Sequence, residues 1–154
     1  MPVPSFLRAA AALGLAASLA ACGETGGGLA PGLVVAMDSP TAVLDRGAAL
    51  GILNQYRATT GAGALTDDAA LDAEAQSLAQ QYASSGTAPK LPSDAGGIRV
   101  SAGYSTFAET FSGWRNSPAD AAVLANPAAR RAGIASFYSA NSAYGVYWVL
   151  LLAG

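Results

Sequence analysis

The stretch from Tyr144 to Ala153 constrains the fold more than any other. Tyr-Gly-Val-Tyr-Trp-Val-Leu-Leu-Leu-Ala carries no charge and leaves neither face of a strand polar. In an extended chain Val146, Trp148, Leu150 and Leu152 point one way and Tyr147, Val149 and Leu151 the other, so both faces need cover. The run therefore reads as a central, buried strand over 144–153, and the rest of the chain must supply a layer on each side of it.

The segments that could do so are helical. Val43, Leu50, Leu53 and Tyr56 mark an apolar face that predicts a helix near 41–59, with Asp38 or Ser39 as cap, Pro40 near its start and Gly61-Ala62-Gly63 after its end. Leu71, Ala75, Leu78 and Tyr82 predict a second helix near 67–84, capped by Thr66 with Asp67 and Asp68 in its first turn. Thr106 and Glu109 form a capping box for a third helix near 107–115, whose Phe107, Phe111 and Trp114 share a face. Ile98, Val100 and Ala102, and again Ile134, Ser136 and Tyr138, alternate as short strands do. Helices and a small antiparallel sheet make the class α+β.

One corner is spelled more densely than the rest, from Trp114-Arg115-Asn116-Ser117-Pro118 to Leu124-Ala125-Asn126-Pro127. Pro118 suits a first helical position, Ser117 can cap it, and Asp120 stands where a capping-box acid would. Asn126-Pro127 then ends the turn of helix, because a residue before proline leaves the α region.

The leading residues follow a different logic. Arg8 precedes an apolar run, Ala9 to Ala21, which is far below the ~20 residues of a membrane-spanning helix and reads as a signal-peptide core. Leu19-Ala20-Ala21-Cys22 resembles a lipobox, so residues 1–21 are expected to be a lipoprotein signal peptide, 22–40 a lipidated Cys22 with a flexible Gly/Pro-punctuated tether, and 41–154 the domain. The expected location is exported: anchored through Cys22 to the cell membrane or an outer membrane, domain on the non-cytoplasmic side. Cys22 is the sole cysteine, which excludes an internal disulfide. Net charge is −2, and −3 once Arg8 is removed, with no basic run, so nucleic acid is not an expected partner.

The corner, together with Leu53-Asn54-Gln55-Tyr56-Arg57, Leu65-Thr66 and the closing Gly133-Ile134-Ala135 and Tyr144-Gly145-Val146-Tyr147-Trp148, resembles the bacterial CAP domains (cysteine-rich secretory, antigen 5, pathogenesis-related; SCP-like) over roughly Thr41 to Ala153. The resemblance implies an α-β-α sandwich and a cleft tetrad of two histidines and two acids able to hold a divalent metal. It also places Ile98 where the first acid of that tetrad belongs, in Gly97-Ile98-Arg99, and Asp120 where a histidine belongs, with Val123 in place of an asparagine. The other histidine position falls in the loop between Ser85 and Pro92, and the chain contains no histidine at all.

The chemistry left over is thin. Without histidine the chain lacks the commonest general base and the commonest transition-metal ligand, and Ser117 has no imidazole to activate it. Glu109 and Asp120 could serve as paired carboxylates of a hydrolase, but each also stands where a helix start wants an acid. Asp67, Asp68 and Asp72 could attract a hard cation, though a helix cap explains them as well. Glu109, Asp120, Arg99 and Trp114 are the possible cleft residues; Trp114, Tyr104 and Tyr147 either line a groove or fill the core. The expectation is a degenerate, non-catalytic module with no cofactor and no metal, meeting an envelope protein. The alternatives are a carrier of a small apolar ligand or lipid, and the hydrolase.

Overall fold

The apolar run becomes β4, Val146–Ala153, and all its residues are buried. In a computed structural model, which describes residues 28–154, it lies between β3 (Arg131–Tyr138) and β2 (Gly97–Ala102), antiparallel to both. The lipobox and Cys22 lie outside the described residues. The remaining elements are α1 (Arg46–Thr59), β1 (Thr66–Asp67), α2 (Ala69–Ser85), α3 (Phe107–Asn116) and α4 (Pro118–Leu124).

The two faces of β4 are covered as its sequence demands. Val149, Leu151 and Ala153 meet Leu71, Ala75 and Ala79 of α2. Trp148, Leu150 and Leu152 meet Leu53 of α1, Phe107, Phe111 and Trp114 of α3 and Leu124 of α4. The result is the α-β-α sandwich. Both buried tryptophans keep their indole N–H satisfied, Trp148 on the Tyr104 carbonyl at 2.9 Å and Trp114 on the Val100 carbonyl at 3.0 Å, as a buried donor requires.

Several local expectations move. The sheet is mixed, order β1-β3-β4-β2, because Thr66 and Asp67 pair in parallel with Arg131 and Ala132 instead of capping α2. Asp68 takes the cap, its carboxylate accepting from the Ala70 and Leu71 amides at 2.9 and 3.1 Å. The first helix starts at Arg46, capped by Asp45 on the Ala48 amide at 2.8 Å, which leaves Asp38, Ser39 and Val43 in the approach to it. Part of the expected tether also belongs to the domain. Leu33 and Met37 are buried in the core, and the Met37 amide donates to the Ser105 carbonyl at 2.8 Å.

β1 is so short that β3 is an edge strand beyond Ala132, and side chains cover it. Asp72 accepts from the Ile134 amide at 2.8 Å, Arg46 donates to the Ile134 carbonyl at 2.9 Å, and Gln76 donates to the Ser136 carbonyl at 3.3 Å. This accounts for Asp72: its carboxylate is spent on the β3 backbone and on Arg46, 3.2 Å away.

Gly133 lets α2 come this close. A Cβ there would lie 2.1 Å from the Leu71 carbonyl carbon and 2.4 Å from the Asp72 nitrogen. Gly133→Ala is therefore expected to push α2 off the sheet and cost about 3 kcal/mol in urea melts. A second prediction concerns acid stability. The Leu71 amide first, then Arg131 at 2.6 Å, hold the Asp68 carboxyl below its ordinary value. The unfolded chain then binds more protons in that range, so Asp68 stabilises fully above about pH 5 and progressively less as pH falls through its native pKa. Asp68→Asn, still a competent cap, should flatten the fall of melting temperature between about pH 5 and 2.

Candidate functional site

Three alternate carbonyls along the outer edge of β2 organise the corner. Gly96, at the approach to the strand, accepts from Asn126 Nδ2 at 3.3 Å, Ile98 accepts from Arg99 Nε, and Val100 accepts from Trp114 Nε1 at 3.0 Å. Arg99 is in turn held by Asp120, which forms an ion pair with it from the first turn of α4. An edge strand that has no neighbour among the described residues is thus lined by three side chains that donate to it, and Asp120 steadies the middle one.

This geometry corrects the sequence reading of Asp120. It is not the acid of a capping box: the Ser117 amide bonds to the Trp114 carbonyl, and Ser117 makes no side-chain cap. Pro118 does take the first helical position, and Asn126 accepts from the Ala128 amide at 2.9 Å just after α4 ends. Glu109 does form the expected box, its carboxylate accepting from Thr106 N and Oγ1 at 3.0 Å each. Each of the two acids proposed as a catalytic pair is therefore engaged with its own partner.

The tetrad positions do not converge. Ile98 packs with the α2-side cluster, whereas Arg99, the next residue on the strand, meets Asp120 on the α4 side. Among the described residues no three His, Cys, Asp or Glu side chains gather as a metal would require. The donor set does not fit the family's divalent metal: one position is aliphatic and turned to the opposite layer, and another is neutralised by a guanidinium. Trp114 is core rather than cleft, as is Tyr147, while Tyr104 is exposed and lines a shallow surface groove with Ala108, Glu109 and Asn116.

Two residues named above only within a motif tie α1 to its surroundings, and Arg57 holds this corner from behind. Arg57 of α1 is wholly buried and donates to four carbonyls: Gly63 at 2.7 Å, Leu124 at 2.6 Å, Asn126 at 3.1 Å and Ala129 at 3.2 Å. Burial, and secondarily the charge of Arg130, lower its pKa from the usual arginine value, yet a guanidinium stays charged near neutrality. Asn54 clamps the chain before β1, exchanging two hydrogen bonds with the Leu65 backbone at 2.8 and 3.0 Å. The signal was available in sequence, since Arg57 lies four residues after Leu53 on the helix's buried face, where a cation needs a reason.

An α-β-α sandwich with helices α1, α3 and α4 on one side, α2 on the other and a tryptophan-seated corner at the sheet edge defines an SCP-type domain. The chain belongs to the CAP family, described as the cysteine-rich secretory protein family, whose model matches residues 50–152. Similar solved structures include an outer surface protein from Borrelia burgdorferi, 15% identical, covering 71% of this chain and 92% of that one with a TM-score of 0.58. MpPR-1i is 18% identical, covering 70% and 84% with a TM-score of 0.57. An extracellular protein containing an SCP domain from Bacillus anthracis is 14% identical, with a TM-score of 0.56 over 69% of this chain and 39% of that one. No curated protein matches the sequence.

Arg57→Met should leave the Gly63 and Leu124 carbonyls without a donor, remove one of two from Asn126 and Ala129, and cost about 3 kcal/mol. Arg57→Lys should recover less than half of that in urea melts, because one ammonium cannot span four acceptors that a planar fork reaches.

Proposed function

We propose that this chain is an exported, lipid-anchored CAP domain that acts without catalysis, as a binding or structural module presented at the cell envelope. The observation that carries the non-catalytic part is the Arg99–Asp120 pair. It stands at the family's histidine position, with the neighbouring acid position, Ile98, half-buried against the α2-side cluster. What elsewhere in the family would be ligand chemistry is here spent on closing the β2 edge. Glu109 is committed to its capping box, which leaves the hydrolase alternative no free pair of carboxylates at the corner. The carrier alternative asks for an apolar pocket beside Trp114, and that side chain is packed in the core.

The anchoring part rests on the lipobox-like Leu19-Ala20-Ala21-Cys22. The Borrelia protein is described as an outer surface protein and the Bacillus protein as extracellular, which supports an exported setting for this chain too. No helix among the described residues is long and apolar enough to cross a membrane, so attachment by Cys22 would fall to its acyl chains.

Two experiments test these parts separately. Calorimetric titration of residues 23–154, stripped of metal, with Zn²⁺ at neutral pH should show no one-to-one site of micromolar or tighter affinity. Such a site, lost in both Glu109→Gln and Asp120→Asn, would restore the enzyme reading. Cys22→Ser should release the domain in soluble form or leave unprocessed precursor. A mutant that fractionates with the membrane as the parent does would refute the anchor.

A further inference from the structure

Seven large apolar side chains of the described residues are well exposed, and four belong to the stretch that leads into α1: Leu29 at 54%, Val34 at 52%, Val35 at 41% and Val43 at 78%. Close packing of the backbone brings the two limbs of this stretch together. Gly32 lies so tightly against Asp45 that an added Cβ would come within 2.2 Å of its carboxylate. The turn at Pro31–Leu33 therefore sits beside the residues just before α1, with Val34 and Val35 leaving one side and Val43 approaching on the other. Single exposed aliphatics are ordinary, but four in one short stretch whose two limbs meet mark a contact.

We propose that this aliphatic corner rests on the lipid bilayer, so that the domain is held against the membrane in one orientation. The inference depends on the reading that Cys22 carries the lipid. Covalent reach selects the occupant. From Cys22 to Leu29 is seven residues, which can span at most ~25 Å. The corner is thus the part of the described domain nearest the anchor along the chain. A tethered surface meets the bilayer at high effective concentration, so a contact too weak to bind membranes alone suffices.

The charges favour an apolar contact over an electrostatic one. Between Gly28 and Arg46 the ionisable side chains are Asp38, Asp45 and Arg46. Asp45 is turned to its cap, and Arg46 to Asp72 and the Ile134 carbonyl. With no basic group offered, anionic headgroups add nothing, and the corner should settle equally on zwitterionic lipid.

The test uses the processed lipoprotein reconstituted into phosphatidylcholine vesicles. Lipidation consumes the Cys22 thiol, so an introduced cysteine is the only one that reacts with a maleimide fluorophore. Probes at Val43→Cys and, independently, Val34→Cys are compared with probes at Leu91→Cys and Tyr144→Cys, which are exposed elsewhere. Nitroxide-bearing lipids should quench the first pair at least about threefold more than the second, with no change when phosphatidylglycerol is added. Equal quenching at all four sites in a chain that floats with the vesicles overturns the orientation while the anchor stands. A blue-shifted probe at Val43 that nitroxide lipids do not quench means that protein covers the corner, and overturns it as well. A chain that fails to float, or whose Cys22 reacts with the maleimide, overturns the anchor and the orientation together.

Discussion

The packing of the α1 layer onto the rest of the fold depends on one buried cation. Among the described residues Arg57 has no carboxylate partner; its charge is met by carbonyls, two of them, Leu124 and Asn126, at the end of α4. The C-terminal end of a helix carries partial negative charge, so a guanidinium placed there is matched by dipoles without a second desolvated ion. A fork with five donors can bind the turn after α1, the end of α4 and the run into β3 at once, which no apolar side chain could do. The position of the tryptophan corner follows, because α4 is fixed from behind by Arg57 and from the front by Asp120.

Much of this was legible in the sequence, for a physical reason. A strand with two apolar faces admits only a sandwich, and the runs around Leu71, Phe107 and Trp114 carry their periodicity openly. What stayed hidden was which of several adjacent polar residues takes a given task. Thr66, Asp67 and Asp68 are all acceptable caps, and the choice fell to Asp68 because the other two were drawn into pairing with Arg131 and Ala132 of β3, far along the chain. Likewise Leu33 and Met37 sit in a Gly/Pro-rich stretch whose composition suggests a tether, and only tertiary contact shows that they complete the core.

The corner was legible as a motif but not in its use. Pro118 and Asn126 do what their spelling announces. Asp120 could have served a helix start, a catalytic pair or an ion pair, and the deciding partner, Arg99, lies 21 residues upstream on another element. Resemblance located the position; the neighbour across space determined its chemistry.

The covering of β3 by α2 has a metrical side. Asp72 and Gln76 are one helical step of four residues apart, ~6.0 Å along the axis, while Ile134 and Ser136 are two strand residues apart, ~6.7 Å. The two rulers nearly agree, so a helix running in the same sense as the strand can hand one side chain to each outward-facing backbone position. On the far side of the sheet Asn126, Arg99 and Trp114 do the same for β2. Stretches of backbone on both margins that could otherwise recruit a strand from another molecule are thus already engaged, by groups that end in a side chain and cannot propagate a ladder. The sheet is terminated chemically where a larger protein would close it into a barrel.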